Sequence, residues 1–530
     1  MPDWSYTPLE PIASAVLGKR RTHRLALGFL AALVRSGGRH WIPVVFDHPR
    51  VPDSVRYRLG AQVPVSAARD AITVLPVQGA TVVQIHGVTL SDVPEVRKAA
   101  ADRRCRVVAV CDSPETVSAV SPFVDTARVG ADPAEVVVDR PDVRSTAEEL
   151  SDPRRVVLTT TGLLTRSGPG YFNRVLEARD AGPAVDDEID GARTDPSAAE
   201  RPKPLRVTAW PAWVWAMIVG VGLIVAGIGA AVITLGPVLL DYDKDYLGLT
   251  ISDLNRVDTH LVGFLQHDRI TMAGNMIGLG TLYCGLAWGG IRRGHRWARN
   301  ALLLSGLIAF GTWLYFLGTG FVEPLHTTVV VVLFPLLVIA VVRAPTLDIR
   351  TRVADGPERE RAAAMWAQLM MIGVGGGLAV AGLVISTVGL TAVFVPTDLG
   401  YLGTDADTLR GADQHLLPFI AHDRAGFGGA LVGSGLAVLL ISLWGWRRGE
   451  RWVWWSLLIG CVSGTVPALA VHLDIGYTTV SHLLPLYVLM LVVTIALTIS
   501  RPFLTARSPD QLTTSLRPNH HHAKPNNTDE

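Results

Sequence analysis

Cysteine is scarce in this chain and spaced so that it cannot work in pairs. Cys105, Cys111, Cys284 and Cys461 are the only four in 530 residues, and no two form a Cys-x-x-Cys pair. That excludes a disulfide framework and a thiolate zinc site. An excess of charge is also missing. Lys and Arg number 48 against 47 Asp and Glu, a formal net charge of +1, so no global field argues for a nucleic-acid partner. No cleavable signal is expected in the basic N-terminal stretch either. The basic stretch Lys19-Arg20-Arg21-Thr22-His23-Arg24 precedes ten mostly apolar residues, 25–34, but it starts late and no small-x-small site follows it. Ten residues are too few to span a bilayer. The segment reads either as an amphipathic helix on the inner leaflet or as a helix packed on a soluble domain.

The apolar residues that are present are concentrated. Eight long runs, at about 210–238, 270–290, 299–319, 326–343, 364–395, 425–446, 453–473 and 481–500, follow a first part of soluble composition. Each is near or above the ~20 residues that cross ~30 Å of hydrocarbon as a helix. Helices are the expected form, because lipid leaves no other partner for the backbone. Upstream, short β-branched runs at 41–46, 71–77, 80–88, 106–111, 134–138 and 156–161 alternate with helical stretches such as 92–103 and 113–123. That alternation predicts an α/β domain with mostly parallel strands.

The expected fold class is therefore an α-helical polytopic membrane protein with an N-terminal cytoplasmic α/β domain. Its divisions are a basic amphipathic helix region (1–38), the α/β domain (39–178), an acidic Pro- and Ala-rich linker (179–206), two membrane repeats (207–345 and 362–503) and a polar tail (504–530).

The membrane half is written twice. Tyr246, Asp258, His260, Phe264, His267, Asp268 and Arg269 return as Tyr401, Asp413, His415, Phe419, His422, Asp423 and Arg424, all at an offset of 155. Gly320 and His326 match Gly476 and His482 at 156. A four-helix unit returns the chain to its starting side, so both copies are expected to insert the same way up, related by an axis along the membrane normal. Basic loops at Arg292, Arg293, Arg296 and Arg299, at 343–361, and at Arg447, Arg448 and Arg451 alternate correctly to share one side, the cytoplasm. The expected location is a bacterial inner membrane, with both termini cytoplasmic and the lipid bilayer as the main partner. The basic Arg-Arg-Gly-x-Arg-Trp loops are topology signals or sites for an anionic lipid headgroup.

On this topology the repeated polar residues gather on the outer face. The candidate site comprises Asp258, His260, His267, Asp268, Arg269 and His326 with Asp413, His415, His422, Asp423, Arg424 and His482. His472 and Asp474 are added in the second copy only. The stripe Leu254, Val257, Leu261, Phe264 reads as one helix, which puts His260 and His267 on a shared face and turns Asp258 and His260 apart. Three readings stay open. His-Asp-Arg caps the start of a membrane helix, with Asp on the macrodipole and Arg snorkelling outward. Alternatively the imidazoles, above all His267, His326, His422 and His482, hold a divalent metal or haem. Or the set is a proton relay or a small-molecule or ion site, suited to binding or transport.

Two stretches at the ends of residues 16–178 carry a likeness. Arg21-Thr22-His23-Arg24-Leu25-Ala26-Leu27 is a basic-then-apolar opening, and residues 162–176 contain the turn Gly168-Pro169-Gly170 before a helix. The pair resembles the membrane-associated, quinone-linked dihydroorotate dehydrogenases. That resemblance implies a TIM barrel carrying FMN, with quinone as a partner, and a catalytic Ser in an Asn-rich loop. No Ser-Ser-Pro-Asn segment occurs here, and about 160 residues fall short of the ~200 a full barrel needs. The likeness thus implies a cut-down barrel without the catalytic motif. Gly168 and Gly170 are left as a possible phosphate cradle at a helix N-terminus. Should the chain be an enzyme, it is expected to be a redox one, linking a flavin domain to quinone or haem in the bundle.

Overall fold

The computed structural model describes residues 3–45, 48, 51–101, 103–140, 142–180, 210–344 and 357–506. Nearly all of the expected linker and tail lies outside these residues, as does most of the basic loop 343–361.

The first part opens with α1 (Asp3–Leu17), α2 (Lys19–Leu33) and α3 (Arg39–Val45). Six strands follow: β1 (Leu59–Pro64), β2 (Val82–Val88), β3 (Arg106–Cys111), β4 (Thr126–Val129), β5 (Glu135–Val138) and β6 (Val156–Thr160). Helices α4 (Val65–Val74), α5 (Val93–Ala100), α6 (Pro114–Val120) and α7 (Val143–Ser151) join them, and α8 (Thr161–Ser167) and α9 (Tyr171–Asp180) close the domain. Every pairing is parallel, in the order β4-β3-β2-β1-β6-β5. The order dictates curvature. Edge strands β4 and β5 are joined by six Cα steps, Val129 to Glu135, which reach at most about 22 Å. A flat six-stranded sheet would hold its edges about 24 Å apart, so the sheet must curl into a half-barrel.

Two of the expected strands are helical. Residues 41–46 fall mostly in α3 and 71–77 mostly in α4. Burial decides the second: Ala68, Ala71, Ile72 and Leu75 recur at helical steps against the sheet, and this stripe outweighs their β-branched neighbours. Helix α2 packs on the α/β domain, as the second reading of the basic segment expects. Leu30 and Ala31 pack against Val74, while Leu25 and Phe29 are exposed, as are Leu9, Ile12 and Val16 of α1.

Among the described residues, eight helices are long and apolar enough to cross a membrane. They are α10 (Ala212–Leu235), α13 (Leu261–Gly285, continuing to Arg293), α14 (Arg296–Gly311, continuing through the turn α15, Phe316–Thr319), α16 (Pro324–Arg343), α17 (Glu358–Leu390), α20 (Leu416–Trp444), α21 (Arg451–Asp474) and α22 (Val480–Leu504). Short helices α11 (Asp241–Leu247) and α12 (Ile251–Val257) recur as α18 (Pro396–Leu402) and α19 (Ala406–Ala412), again displaced by 155. Helices α13 and α20 are the most buried of the eight and pack on each other. The copies interlock, since α21 packs on α13 and α14 packs on α20. Glycine sets the closest crossings. A Cβ on Gly280 of α13 would lie 2.5 Å from the Gly220 carbonyl of α10, and one on Gly435 of α20 would lie 2.8 Å from the Gly375 carbonyl of α17. Small residues at such crossings let backbones approach where lipid supplies no hydrophobic drive.

Candidate functional site

Helices α13 and α20 begin about nine residues before their apolar runs. His267-Asp268-Arg269 and His422-Asp423-Arg424 therefore lie two turns inside each helix and are buried. This corrects the capping reading, because a residue that deep is beyond the first-turn amides. The arginines do not snorkel. Arg269 Nε donates to Asp423 Oδ2 at 2.7 Å, and Arg424 Nε lies 3.4 Å from Asp268 Oδ2. Each copy's arginine thus meets the other copy's aspartate. Asp243 holds Arg269 at 3.6 Å and Asp398 pairs with Arg424. Arg269 also donates to the Val238 carbonyl, and Arg424 to that of Val393. Both valines have positive φ, at 61° and 66°. The guanidinium of Arg269 lies over Phe419, 4.9 Å from its centroid, and that of Arg424 over Phe264, at 5.0 Å. Such pairing and hydrogen bonding are what buried charges require.

Beyond the crossed pairs the two copies differ. In one cluster, His267 of α13, His472 of α21 and His482 of α22 turn their Nε2 atoms together. His472 Nε2 lies 2.9 Å from that of His267 and 3.1 Å from that of His482. One ligand nitrogen from each lies within 4.8 Å of the others. The opposite ring atoms explain why. His472 Nδ1 is 2.6 Å from the Ala468 carbonyl, an acceptor only, so it carries the proton. His267 Nδ1 lies 2.9 Å from Asp268 Oδ1, bent from a straight bond but close enough to hold its proton. With Nδ1 carrying the proton on His267 and His472, their Nε2 lone pairs point at each other, which is repulsive unless a cation lies between them. Tyr477 stacks on His482 with centroids 4.2 Å apart, and its hydroxyl donates to Asp398 Oδ1 at 2.9 Å.

In the other cluster, His422 of α20 faces His326 of α16, ring centroids 5.8 Å apart. Glu323 accepts from the Tyr242 hydroxyl and from the His326 amide. These groups close the polar end of a cavity of about 280 Å³. Asp243, Arg269 and Asp423 also line it, and most of the remaining wall is apolar, with Leu223 and Ile233 of α10, Met272 and Met276 of α13, and Val329 of α16. Outside the spans, burial raises the Asp243 carboxyl above the usual carboxylate range, and Arg269 opposes the shift. Burial likewise raises the Tyr242 hydroxyl, with Glu323 adding to it.

The four imidazoles proposed as ligands thus divide between two clusters, and His472 joins the first. Asp474 is exposed at the end of α21. Asp258 and His260 do not point apart, because the helix breaks between α12 and α13. Asp258 Oδ1 accepts the His260 amide at 2.7 Å, and Asp413 does the same for His415. Their rings reach across the copies, His260 to Tyr401 at 5.0 Å and His415 to Tyr246 at 4.8 Å. Sequence reasoning missed Asp243, Asp398, Tyr242, Glu323 and Tyr477. The aspartates share the 155 offset and were open to detection on that ground; the others have no repeated counterpart of the same type.

At the Gly168-Pro169-Gly170 turn, the Gly170 amide donates to Asp3 Oδ1 at 2.7 Å, with Arg174 and Arg361 each 3.6 Å from Asp3 Oδ2. A carboxylate of the chain itself lies where a phosphate was expected. Comparison with family models, with curated proteins and with solved structures finds no match.

Proposed function

We propose that this chain is a multi-pass membrane protein that binds a transition-metal ion, of the Zn²⁺ or Cu²⁺ kind, at its outer surface through His267, His472 and His482. The observation that carries this reading is the convergence of three Nε2 atoms, with the Nδ1 of His267 beside a carboxylate and that of His472 beside a carbonyl. Imidazole suits these ions, and a carboxylate behind a ligating histidine is a recurring support. Three protein ligands leave a coordination position open, as in sites that exchange or activate a small molecule.

The two copies are read as parallel four-helix repeats about an axis along the membrane normal. The crossed Asp–Arg pairs support that axis at one end, and Trp297 stacked on Trp452 at 6.0 Å supports it at the other. The Arg292 loop lies 25 residues along α13 from His267, about 37 Å at 1.5 Å per residue. That matches a bilayer with basic loops inside and histidines outside. The exposed apolar stripe of α1 and α2 suits the inner leaflet. The α/β domain is read as a shortened relative of the dihydroorotate dehydrogenase barrel. A curled parallel sheet whose last strand pairs with its first supports the likeness, and Asp3 at the glycine turn favours a non-catalytic role.

Metal analysis of the full chain in detergent tests the reading. About one Zn²⁺ or Cu²⁺ per chain is expected, with loss in His472→Ala and a tenfold to hundredfold weaker affinity in Asp268→Asn. A wild-type protein that binds neither ion above the level of His472→Ala refutes it.

A further inference from the structure

Among the matched positions at which the cavity between α10, α13, α16 and α20 differs from the histidine triad, two bear on its charge and donors. Tyr477 in the second copy corresponds to Phe321 in the first, and Thr479, just before α22, corresponds to Glu323, just before α16. The first exchange deletes a donor. Asp398 Oδ1 accepts from the Tyr477 hydroxyl, whereas Asp243 Oδ1 has no hydrogen-bond partner among the described residues. Asp243 is only 2% exposed and lines the cavity. His422, 6% exposed, also lines it, and its Nδ1 has no hydrogen-bond partner among the described residues. The second exchange adds a charge. Asp243, Asp423 and Glu323 surround the single cation Arg269, while Asp398 and Asp268 surround Arg424 with no third carboxylate at the Glu323 position.

We propose that this cavity binds a lipophilic primary amine. The ammonium donates to Asp243 Oδ1 in place of the missing tyrosine hydroxyl, and Glu323 balances its charge. The apolar walls take the body of the molecule. A buried carboxylate oxygen without a donor is costly, and an ammonium supplies three N–H groups with the sign the cavity lacks. A volume of about 280 Å³ is at the small end for ligand sites and suits a ring with a short chain. This proposal is independent of the metal reading, since it uses the other histidine cluster.

The test is calorimetric titration of the full chain in detergent with 4-butylbenzylamine, 4-butylbenzyl alcohol, 4-butylbenzoate and the N,N,N-trimethyl derivative of the amine. Saturable binding of the primary amine, at least tenfold tighter than the other three, is expected. Phe321→Tyr, which restores the hydroxyl, and Glu323→Gln, which removes the charge, should each weaken it at least tenfold, while His472→Ala leaves it unchanged. If Phe321→Tyr fails to fold, Glu323→Gln alone decides. Equal binding of the alcohol overturns the role of charge, and equal binding of the trimethyl compound overturns the role of the donor. Amine binding absent from the wild type, or unaltered in both variants, overturns the site.

Discussion

Asp423→Asn should destabilise the bundle by an amount set by the crossed pairing. Unit charges about 4 Å apart interact by about 4 kcal/mol at an effective dielectric constant of 20. Removing one member of a buried pair typically costs about 3–5 kcal/mol, because the other is left uncompensated. Arg269 in Asp423→Asn keeps Asp243 at 3.6 Å and the Val238 carbonyl, so the cost should fall near the low end, about 3 kcal/mol. Arg269→Met strands both Asp423 and Asp243 and should cost about 5 kcal/mol. The double variant strands only Asp243 and should cost at most about 5 kcal/mol, not 8, a coupling of at least about 3 kcal/mol. The mirror cycle on Asp268 and Arg424, at 3.4 Å, should couple by about 2 kcal/mol. Unfolding of the full chain in mixed micelles of increasing SDS fraction, followed by tryptophan fluorescence, measures each value. Single effects that add to within about 0.5 kcal/mol in both cycles would show that these side chains do not face each other.

Three further outcomes are expected. Gly280→Ala and Gly435→Ala place a methyl against a backbone carbonyl across a helix crossing and should each cost about 1–3 kcal/mol. Gly377→Ala, whose methyl would meet open space, should be neutral or stabilising by up to about 1 kcal/mol; the same SDS titration reads all three. Burial, helped by Asp125, pushes the Cys105 thiol up to about 12. The thiolate is the reactive form, so at pH 8 alkylation by iodoacetamide should be about a thousandfold slower than for a free thiol and should rise tenfold per pH unit; peptide mass spectrometry after timed quenching measures it. Asp3→Ala removes the acceptor shared by the Gly170 amide, Arg174 and Arg361. It should cost about 1–3 kcal/mol and speed limited proteolysis of the α/β domain while leaving the bundle intact.

Much of the bundle was legible because eight apolar runs and a repeated polar motif are properties of the chain alone. The starts of α13 and α20 were not. His267-Asp268-Arg269 lowers the local hydropathy, so the apolar run begins after it, although the helix continues outward on Leu261, Phe264 and Leu265 buried against the other copy. Offset arithmetic identified Asp268 and Arg424 as repeated positions. Only folding shows that they meet each other across the two copies. The α/β domain was legible in its strands at 82–88, 106–111 and 156–160, where β-branched residues are buried on the sheet. Its helix α4 was misread because Ile72 and Val74 sit on an amphipathic helix that packs on that same sheet. The third ligand, His472, was visible as a departure from the repeat, but its meeting with His267 depends on α21 crossing to the other copy's central helix.

The crossed contacts have the form of a self-complementary seam, in which residue i of one half meets j of the other while j of the first meets i of the second. A protein made of one half alone would expose a stranded arginine, a stranded aspartate and an aromatic face awaiting a guanidinium. It could satisfy all three by joining a second identical chain. Joining the two in a single polypeptide lets each side differ from its twin, so that one cluster across the seam gathers three imidazoles while the other encloses a hollow.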